Sequence, residues 1–595
     1  MDKERKFSQS RGRRWARAPR VPAPPPGPGA LPVPKSLPAL PSTSRPMPKA
    51  HYRPSGFFVL RTPLLPFKYV EPLAAGDETT IRELLADPVV REAIYLASPS
   101  LHDAIDVWLA DPAASRAKGV KESVTRYLLR AASRPTPFGL FAGLGTGRVD
   151  RRTNLVVPGR EAWVRHTRLD MHYVSAVAAH LAADRDRREQ LTWRRSSAIS
   201  EVHGSFRYAV SVDDPEKGRF FEFSAVDPSP ELRAILEAAR DGAPFKALVA
   251  GLANAGHAEG DAIAYLHDLI DAQLLVSELQ PSLLTARSSA ALEPHAPVIQ
   301  RANATLVKLD AAGVGHPPGV YEGIARDLET MDVKVRRDRL LHVDLYKPSP
   351  TLTLGSRPLA ELQKAVELMA RLRPPPADAS PLVRFARAFR ERYEARAVPL
   401  LEALDEDSGV RFEGRVAAQS PSPILEALDL TPPPDPLIAI RELCQQRVAA
   451  APDSLVWELS AKDLATLTTE TPRPLPAGVA VMATFAASSA EALERGDFFV
   501  RVHSVSGTSG AELIGRFTHG DPRLRAHVEK HLCAEEALRP GVLHAEILHL
   551  PDGRLGNILS RAPLRTAAIN YLGGHVESDL DIVPLEDLDV VVRGD

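Results

Sequence analysis

The sequence predicts an α+β fold, a large mixed assembly of several subdomains in one chain. Two observations carry this. Alternating segments such as "RLLHVDLY", "GVAVMATFAA" and "DFFVRVHSV" read as strands, while "PLVRFARAFRERYEARAVPLLEAL" and "DPRLRAHVEKHLCAEEAL" repeat apolar residues at helical intervals. At 595 residues the chain is long enough for several cores, and its composition, 44% hydrophobic and 25% charged, is that of a globular protein. No repeat of fixed period argues for a solenoid.

Taken in order, residues 1–54 form a basic arm rich in proline and arginine ("RGRRWARAPRVPAPPPGPGALPVPKSLPALP") with no apolar period, expected to be disordered. Folded structure is expected from "GFFVLRTPLLPF" (Gly56 to Phe67), a β-rich stretch closed by prolines. Residues 78–133 read as helices, and "RYLLRAASRPTPFGLFAGLGTG" then places Pro135 and Pro137 to end the last of them. Gly139, Gly143, Gly145 and Gly147 are expected to let the backbone turn tightly. Residues 196–280 read as a module: two strands, "AISEVHGSFRYAVSV" and "RFFEFSAV", then three short helices, the first capped by Ser229 or Asp227. That content suggests a winged-helix-like element. Its last helix carries Asp261, Asp268 and Asp271, which favours peptide over DNA as ligand.

Composition also excludes. A net charge of −1 leaves no global field for nucleic acid or membrane, so such binding needs local patches. The two cysteines, Cys444 and Cys533, have neither disulfide-framework nor zinc spacing, which suggests a reducing, cytoplasmic setting. No apolar run of about eighteen residues is present, so membrane insertion is not expected.

Arg126, Arg130 and Arg134 fall at intervals of four, one stripe of a helix that continues through Ser133. Like charges so spaced oppose an isolated helix by about 0.2–0.5 kcal/mol per pair, which an anionic ligand would offset. Arginines satisfying the carbonyls and dipole of a helix C-terminus are the other reading. As a phosphate loop "GLGTG" matches neither GxxxxGK[ST] nor a GxGxxG opening a helix.

The stretch "SRPTPFGLFAGLGTG" resembles the signature of the lantibiotic dehydratase family, in its N-terminal glutamylation domain. In the same order follow "RLDM" (Arg168 to Met171), "LHVDLYK" (Leu341 to Lys347), "ERYEARAVPLLEAL", "LIGRFTH" (Leu513 to His519) and "AEILHLPDGRLGNILSRAPLR" (Ala545 to Arg565), with "FVLRTPLLPF" ahead of them all. The resemblance implies a glutamylation domain over residues 55–595, which takes glutamate from glutamyl-tRNA, a co-substrate, to Ser and Thr of a precursor peptide. No bound cofactor or metal is implied. It places the site on Arg130, Arg134, Thr136, Asp170, Asp344 and Arg516. The arginines would hold the tRNA acceptor end or the glutamyl carboxylate, and Thr136 would position substrate. An aspartate beside arginines should have a lowered pKa, so Asp170 and Asp344 are expected to orient an arginine more readily than to accept a proton. Residues 196–280 would bind the precursor's leader as an added strand. Family members are often dimers.

The chain departs from the family near "IVPLEDLDVVVRGD", where Asp595 falls in an apparent strand region and the domain is expected to be shortened. Either a separate protein then supplies the elimination of glutamate, or the product is not a dehydroamino acid. Two alternatives stand beside the glutamyl transferase: a peptide aminoacyl-tRNA ligase acting at a peptide C-terminus, and a truncated, non-catalytic leader-binding protein.

Overall fold

The structure, a computed structural model, describes residues 52–111, 117–214, 218–285, 287–372, 381–405, 409–410, 412, 438–450, 458–468, 476–550, 555–574 and 580–593. Residues 1–51 of the basic arm and the final residues Gly594 and Asp595 lie outside them.

A five-stranded sheet organises the functional region. Its strands are β1 (Phe57–Pro63), β2 (Ala142–Val149), β3 (Val164–Leu169), β4 (Leu341–Tyr346) and β5 (Thr353–Leu354). The order is β1-β2-β4-β3, with β5 beside β2. β1 and β2 are antiparallel, with Arg61 opposite Leu144; β2 and β4 are parallel, with Leu144 beside Tyr346. β4 and β3 are antiparallel, pairing Asp344 with His166 and His342 with Arg168. Because side chains alternate along a strand, one face carries Arg61, Leu144, His342, Asp344, Tyr346, His166 and Arg168. The other carries Val343, Leu345, Arg165 and Thr167.

That second face packs on the predicted helical region. It forms four helices over Glu78–Leu85, Pro88–Ala97, Pro99–Ala110 and Ala117–Ser133, the last labelled α1. Asp77 and Asp87 start the first two by accepting hydrogen bonds from backbone N–H groups of the opening turn, and Pro88 fits the first turn because it has no N–H to satisfy. Ile81, Ile94, Leu128, Phe141, Val343 and Leu345 share one buried core. Each fully buried aliphatic side chain contributes about 2 kcal/mol. The first face is covered by helix α3, defined here as Pro522–Ala537, after α2 (Met171–Ala183). Leu524, Val528 and Leu532 recur every four residues on α3 and bury against Leu144, Tyr346 and Phe517.

Two expectations are corrected. Of the glycines at 139, 143, 145 and 147, only Gly139 has a positive φ, 53°. The other three lie inside β2 and serve close packing: a Cβ at 145 would meet the Lys347 carbonyl oxygen at 2.7 Å, and one at 147 the Phe58 ring at 2.4 Å. The segment "PLVRFARAFRERYEARAVPLLEAL" is not one helix. It ends at Tyr393, Glu394 takes a φ of 57°, and a short helix resumes at Leu400.

In the 196–280 region the three helices are Pro230–Ala238, Phe245–Asn254 and Glu259–Asp271, and Ser229 caps the first by accepting from the Leu232 N–H. The first predicted strand is two, Ser200–Val202 and Ser205–Asp214, folded back at His203 and Gly204, whose φ values of 51° and 83° suit a two-residue hairpin turn. With Gly218–Val226 they make one sheet. A second sheet pairs Thr192–Arg195 with Ala243–Pro244 and Leu275–Ser277. Its strands are too short for a periodic signal, and the first precedes residue 196.

Candidate functional site

Asp344 sits mid-strand in β4, 2% exposed, on the polar face of the sheet. Four cationic or titratable side chains surround its carboxylate. His342 Nε2 is 3.4 Å and His519 Nε2 3.5 Å from Oδ2; Arg168 Nη2 is 3.9 Å from Oδ2 and Arg516 Nη2 3.7 Å from Oδ1. These distances allow charge attraction, yet Oδ2 has no aligned hydrogen-bond partner.

Local structure explains the assembly. The β3–β4 register puts Arg168 beside His342, and Arg168 is then fixed by donating to the Asn557 carbonyl at 2.6 Å and lying 3.2 Å from His519 Nε2. Arg516 is on a short 3-10 turn, Gly515–Phe517, its guanidinium 4.2 Å over the Phe517 ring. Tyr346 anchors that turn by donating to the Phe517 carbonyl at 3.1 Å. Arg61, from β1, lies 5.8 Å from the same ring and donates to the Leu513 carbonyl.

The electrostatics follow from this crowding. Burial by itself pushes the Asp344 carboxyl up, but His342, His519 and Arg168 outweigh it and hold the group well below the usual carboxylate range. Burial, then His519 and Arg168, drives the His166 imidazole down to about 3. His519, its ring 4.4 Å from that of His166, is lowered chiefly by burial as well. Burial and Arg516 lower Arg61. Two guanidiniums, Arg168 and Arg516, thus flank one carboxylate, with Arg61 beside Arg516. Such a pocket favours an anion or a developing oxyanion.

The residues predicted from the sequence divide into two groups. Asp344 and Arg516 meet directly. Asp170, 6% exposed, follows β3 and caps α2 by accepting from the His172 N–H at 2.8 Å, while its own N–H donates to the Leu340 carbonyl. It thereby ties the end of β3 to the start of β4. Arg130, Arg134 and Thr136 are at the C-terminal end of α1 and in the loop into β2. Leu64 N–H to the Phe141 carbonyl and Leu65 N–H to the Ala131 carbonyl hold that loop to the end of β1. The loop therefore enters β2 at Ala142, next to the Gly143 that pairs with Leu345, the residue after Asp344. Arg130 stacks 4.7 Å over Phe138, its buried Nε without a hydrogen-bond partner and its pKa lowered by burial and then by Arg134. Arg134 and Thr136 are exposed. Among the described residues no hydrogen bond or ion pair joins this trio to Asp344. Arg126, on the same stripe, is exposed and bonds Ser123.

Arg168, His166, His342, His519 and Arg61 were not singled out from the sequence. Their signal was present: Arg168 stands in "RLDM", His342 in "LHVDLYK" and His519 in "LIGRFTH". Period-two spacing from Asp344 to His342 puts both on one face. Among the described residues no group of three or more His, Cys, Asp or Glu is arranged to hold a metal ion, and no helix is long and apolar enough to cross a membrane.

Residues 86–595 match the family described as lantibiotic dehydratase, N terminus. The chain belongs to this family. Among curated relatives of this chain are the subtilin biosynthesis protein SpaB of Bacillus subtilis, 24% identical over 61% of this chain and 36% of its own, and the epidermin biosynthesis protein EpiB of Staphylococcus epidermidis, 19% identical over 39% and 23%. The chain spans little more than a third of the length of the SpaB relative. Its fold is similar to that of the tRNA-dependent lantibiotic dehydratase MibB from Microbispora sp. 107891, with a TM-score of 0.70, 23% identity and coverage of 90% of this chain and 52% of that one. It is also similar to the glutamylation domain of TbtB from thiomuracin biosynthesis, with a TM-score of 0.58, 19% identity and coverage of 87% and 65%. The α+β class read from the sequence is thus the observed one.

Proposed function

We propose that this chain transfers the glutamyl group of glutamyl-tRNA to Ser and Thr side chains of a ribosomally made precursor peptide. The observation that carries the reading is the buried Asp344 surrounded by Arg168, Arg516 and two histidines, on the strand that pairs with the start of β2, into which the loop of Arg130, Arg134 and Thr136 leads. The fold likeness to a glutamylation domain supports it.

The chemistry exchanges a ribose ester for a serine or threonine ester. The site has to align two large substrates, accept the hydroxyl proton and stabilise a tetrahedral oxyanion. Arg130 and Arg134, exposed or partly exposed, are suited to the tRNA acceptor end or the glutamyl carboxylate, and Thr136 to positioning. Asp344, held ionised, is a weak base and orients Arg168 instead. The glutamate carboxylate of the resulting ester is a better leaving group than hydroxide, which prepares a later elimination. The 196–280 region would hold the leader along a sheet edge.

The test combines the purified chain, precursor peptide, tRNA and a glutamyl-tRNA synthetase, and weighs the peptide. Glutamyl additions on Ser or Thr that disappear with Arg134→Ala are expected. Unmodified peptide from folded protein overturns the reading, and addition of another amino acid at the peptide C-terminus selects a peptide ligase instead.

A further inference from the structure

At the other end of β1 from Arg61, three side chains form a relay that the transfer site does not use. Exposed Ser55 has Oγ 2.7 Å from His531 Nδ1, and His531 Nε2 lies 2.8 Å from Glu535 Oε1. His531 and Glu535 are one turn apart on α3, so helical spacing alone aligns them. The Glu535 side chain is 5% exposed and nearly saturated with donors: the Gly510 N–H at 2.9 Å, the Ser509 hydroxyl at 2.8 Å and Arg565 Nη2 at 3.1 Å. The backbone is shaped around the pair. A Cβ at Gly510 would meet His531 Nε2 at 2.3 Å, and one at Gly478 would meet Glu535 Oε1 at 2.1 Å.

A carboxylate accepts only, so the imidazole proton facing Glu535 sits on Nε2, and Nδ1 is left with a lone pair for the Ser55 O–H. Burial pushes the Glu535 carboxyl up, but His531, the Gly510 N–H and Ser509 overcome this and hold it at about 2, so it stays anionic. Nucleophile, base and orienting acid are recognised by geometry and not by chain order. The ring is turned so that Nδ1 faces the serine, but proton transfer needs only one nitrogen to accept while the other donates.

We infer that Ser55, His531 and Glu535 form a second acyl-transfer site, which cleaves small carboxylic esters through an acyl-serine. Ser55 Oγ bonds to the ester carbonyl carbon as its proton passes to His531 Nδ1. The tetrahedral adduct then breaks its bond to the alkoxy oxygen, which leaves with the proton from His531. Water attacks the acyl-serine by the same route and returns the proton to Ser55, so ester and water yield acid and alcohol. Ser55 and His531 are the catalytic residues; Glu535 positions the imidazole. The site lies about 20 Å along β1 from Arg61, counting six residues at the rise of a strand.

The test treats the full chain with p-nitrophenyl acetate. A burst of about one equivalent of p-nitrophenolate is expected, with the acetyl group mapped to Ser55 by peptide mass. Ser55→Ala, at an exposed position, should slow acetylation by about tenfold or more, and His531→Gln should match it. Glu535→Gln should slow the burst while leaving its acetyl on Ser55. Glutamyl transfer to peptide should persist in Ser55→Ala, which keeps the two sites distinguishable. Acetylation of Ser55→Ala at the unaltered rate, or an adduct found only on other residues, overturns the proposal.

Discussion

The two faces of the central sheet bury charge in opposite ways. Behind it, Glu92 and Arg165 are fully buried and bonded at 2.5 Å. Tyr321 donates to Glu92 and Gly315 N–H does so at 2.5 Å, while Asp310 lies 3.2 Å from Arg165 and accepts from the Thr167 N–H. This network clamps the helices over Pro88–Ala97, Pro297–Ala312 and Pro318–Leu328 to β3. In front, Asp344 meets its neighbours only at 3.4 to 3.9 Å, and Arg168 Nε, His342 Nε2, His519 Nδ1 and Asp344 Oδ2 lack aligned partners, against Arg165 Nη2 and Asp310 Oδ1 behind. A close-bonded charge pair holds shape. A loosely bonded one with surplus cation keeps interaction capacity for something that arrives, which is how a binding face differs from a structural one.

Breaking the rear pair should have the largest effect on stability. Glu92→Ala leaves the buried Arg165 with Asp310 as its remaining carboxylate and strips Tyr321 and the Gly315 N–H of their acceptor, and should lower unfolding free energy by about 3 kcal/mol in urea titration. A loss below about 1 kcal/mol would erase the distinction between the faces. In front, Asp344→Asn keeps shape but removes the charge that orients Arg168. It should reduce peptide glutamylation by about 10²–10³-fold, equivalent to about 2.7–4 kcal/mol, with a smaller stability loss than Glu92→Ala. Equal losses of stability would make Asp344 another clamp.

The smallest effect is on pH. His166 is held neutral down to about 3 in the folded chain but titrates near 6.5 when unfolded, so the unfolded state binds more protons between those values. Stability is therefore fully present above about 6.5 and is lost as pH falls. Between pH 7.5 and 5 the loss from this group should be about 1–2 kcal/mol, and His166→Gln should flatten that slope in thermal melts. An unchanged slope would mean that the front face is open enough to solvate an imidazolium.

Legibility from sequence followed the range of the signals. Helix α1, its stripe of arginines, α3 and the alternation of β4 are local patterns, and all stand where periodicity put them. Alternation puts Arg165 and Arg168, three residues apart on β3, on opposite faces, and one joins the clamp while the other joins the Asp344 cluster. Only the β3–β4 register decides which face each takes. The glycines of "GLGTG" misled for a related reason: a strand that must lie flush against the Lys347 backbone and the Phe58 ring needs small residues as much as a turn does. Nothing local marks those neighbours, which come from 200 residues downstream and from the strand before.

The parallel pairing of Gly143 with Leu345 also sets an order of events during synthesis. Helix α1 can form as it emerges, whereas β2 has no β4 to pair with until some two hundred more residues have been made. Arg516 and His519 reach Asp344 only after a further stretch of similar length. Closing such loops is entropically unfavourable before the contacts that reward it exist, so distant pairings form late. The anionic strand position and its cationic surroundings thus reach the ribosome exit far apart in time, and the Asp344 cluster should assemble only after His519 has emerged, well after the helices over residues 78–133 have become protease-resistant.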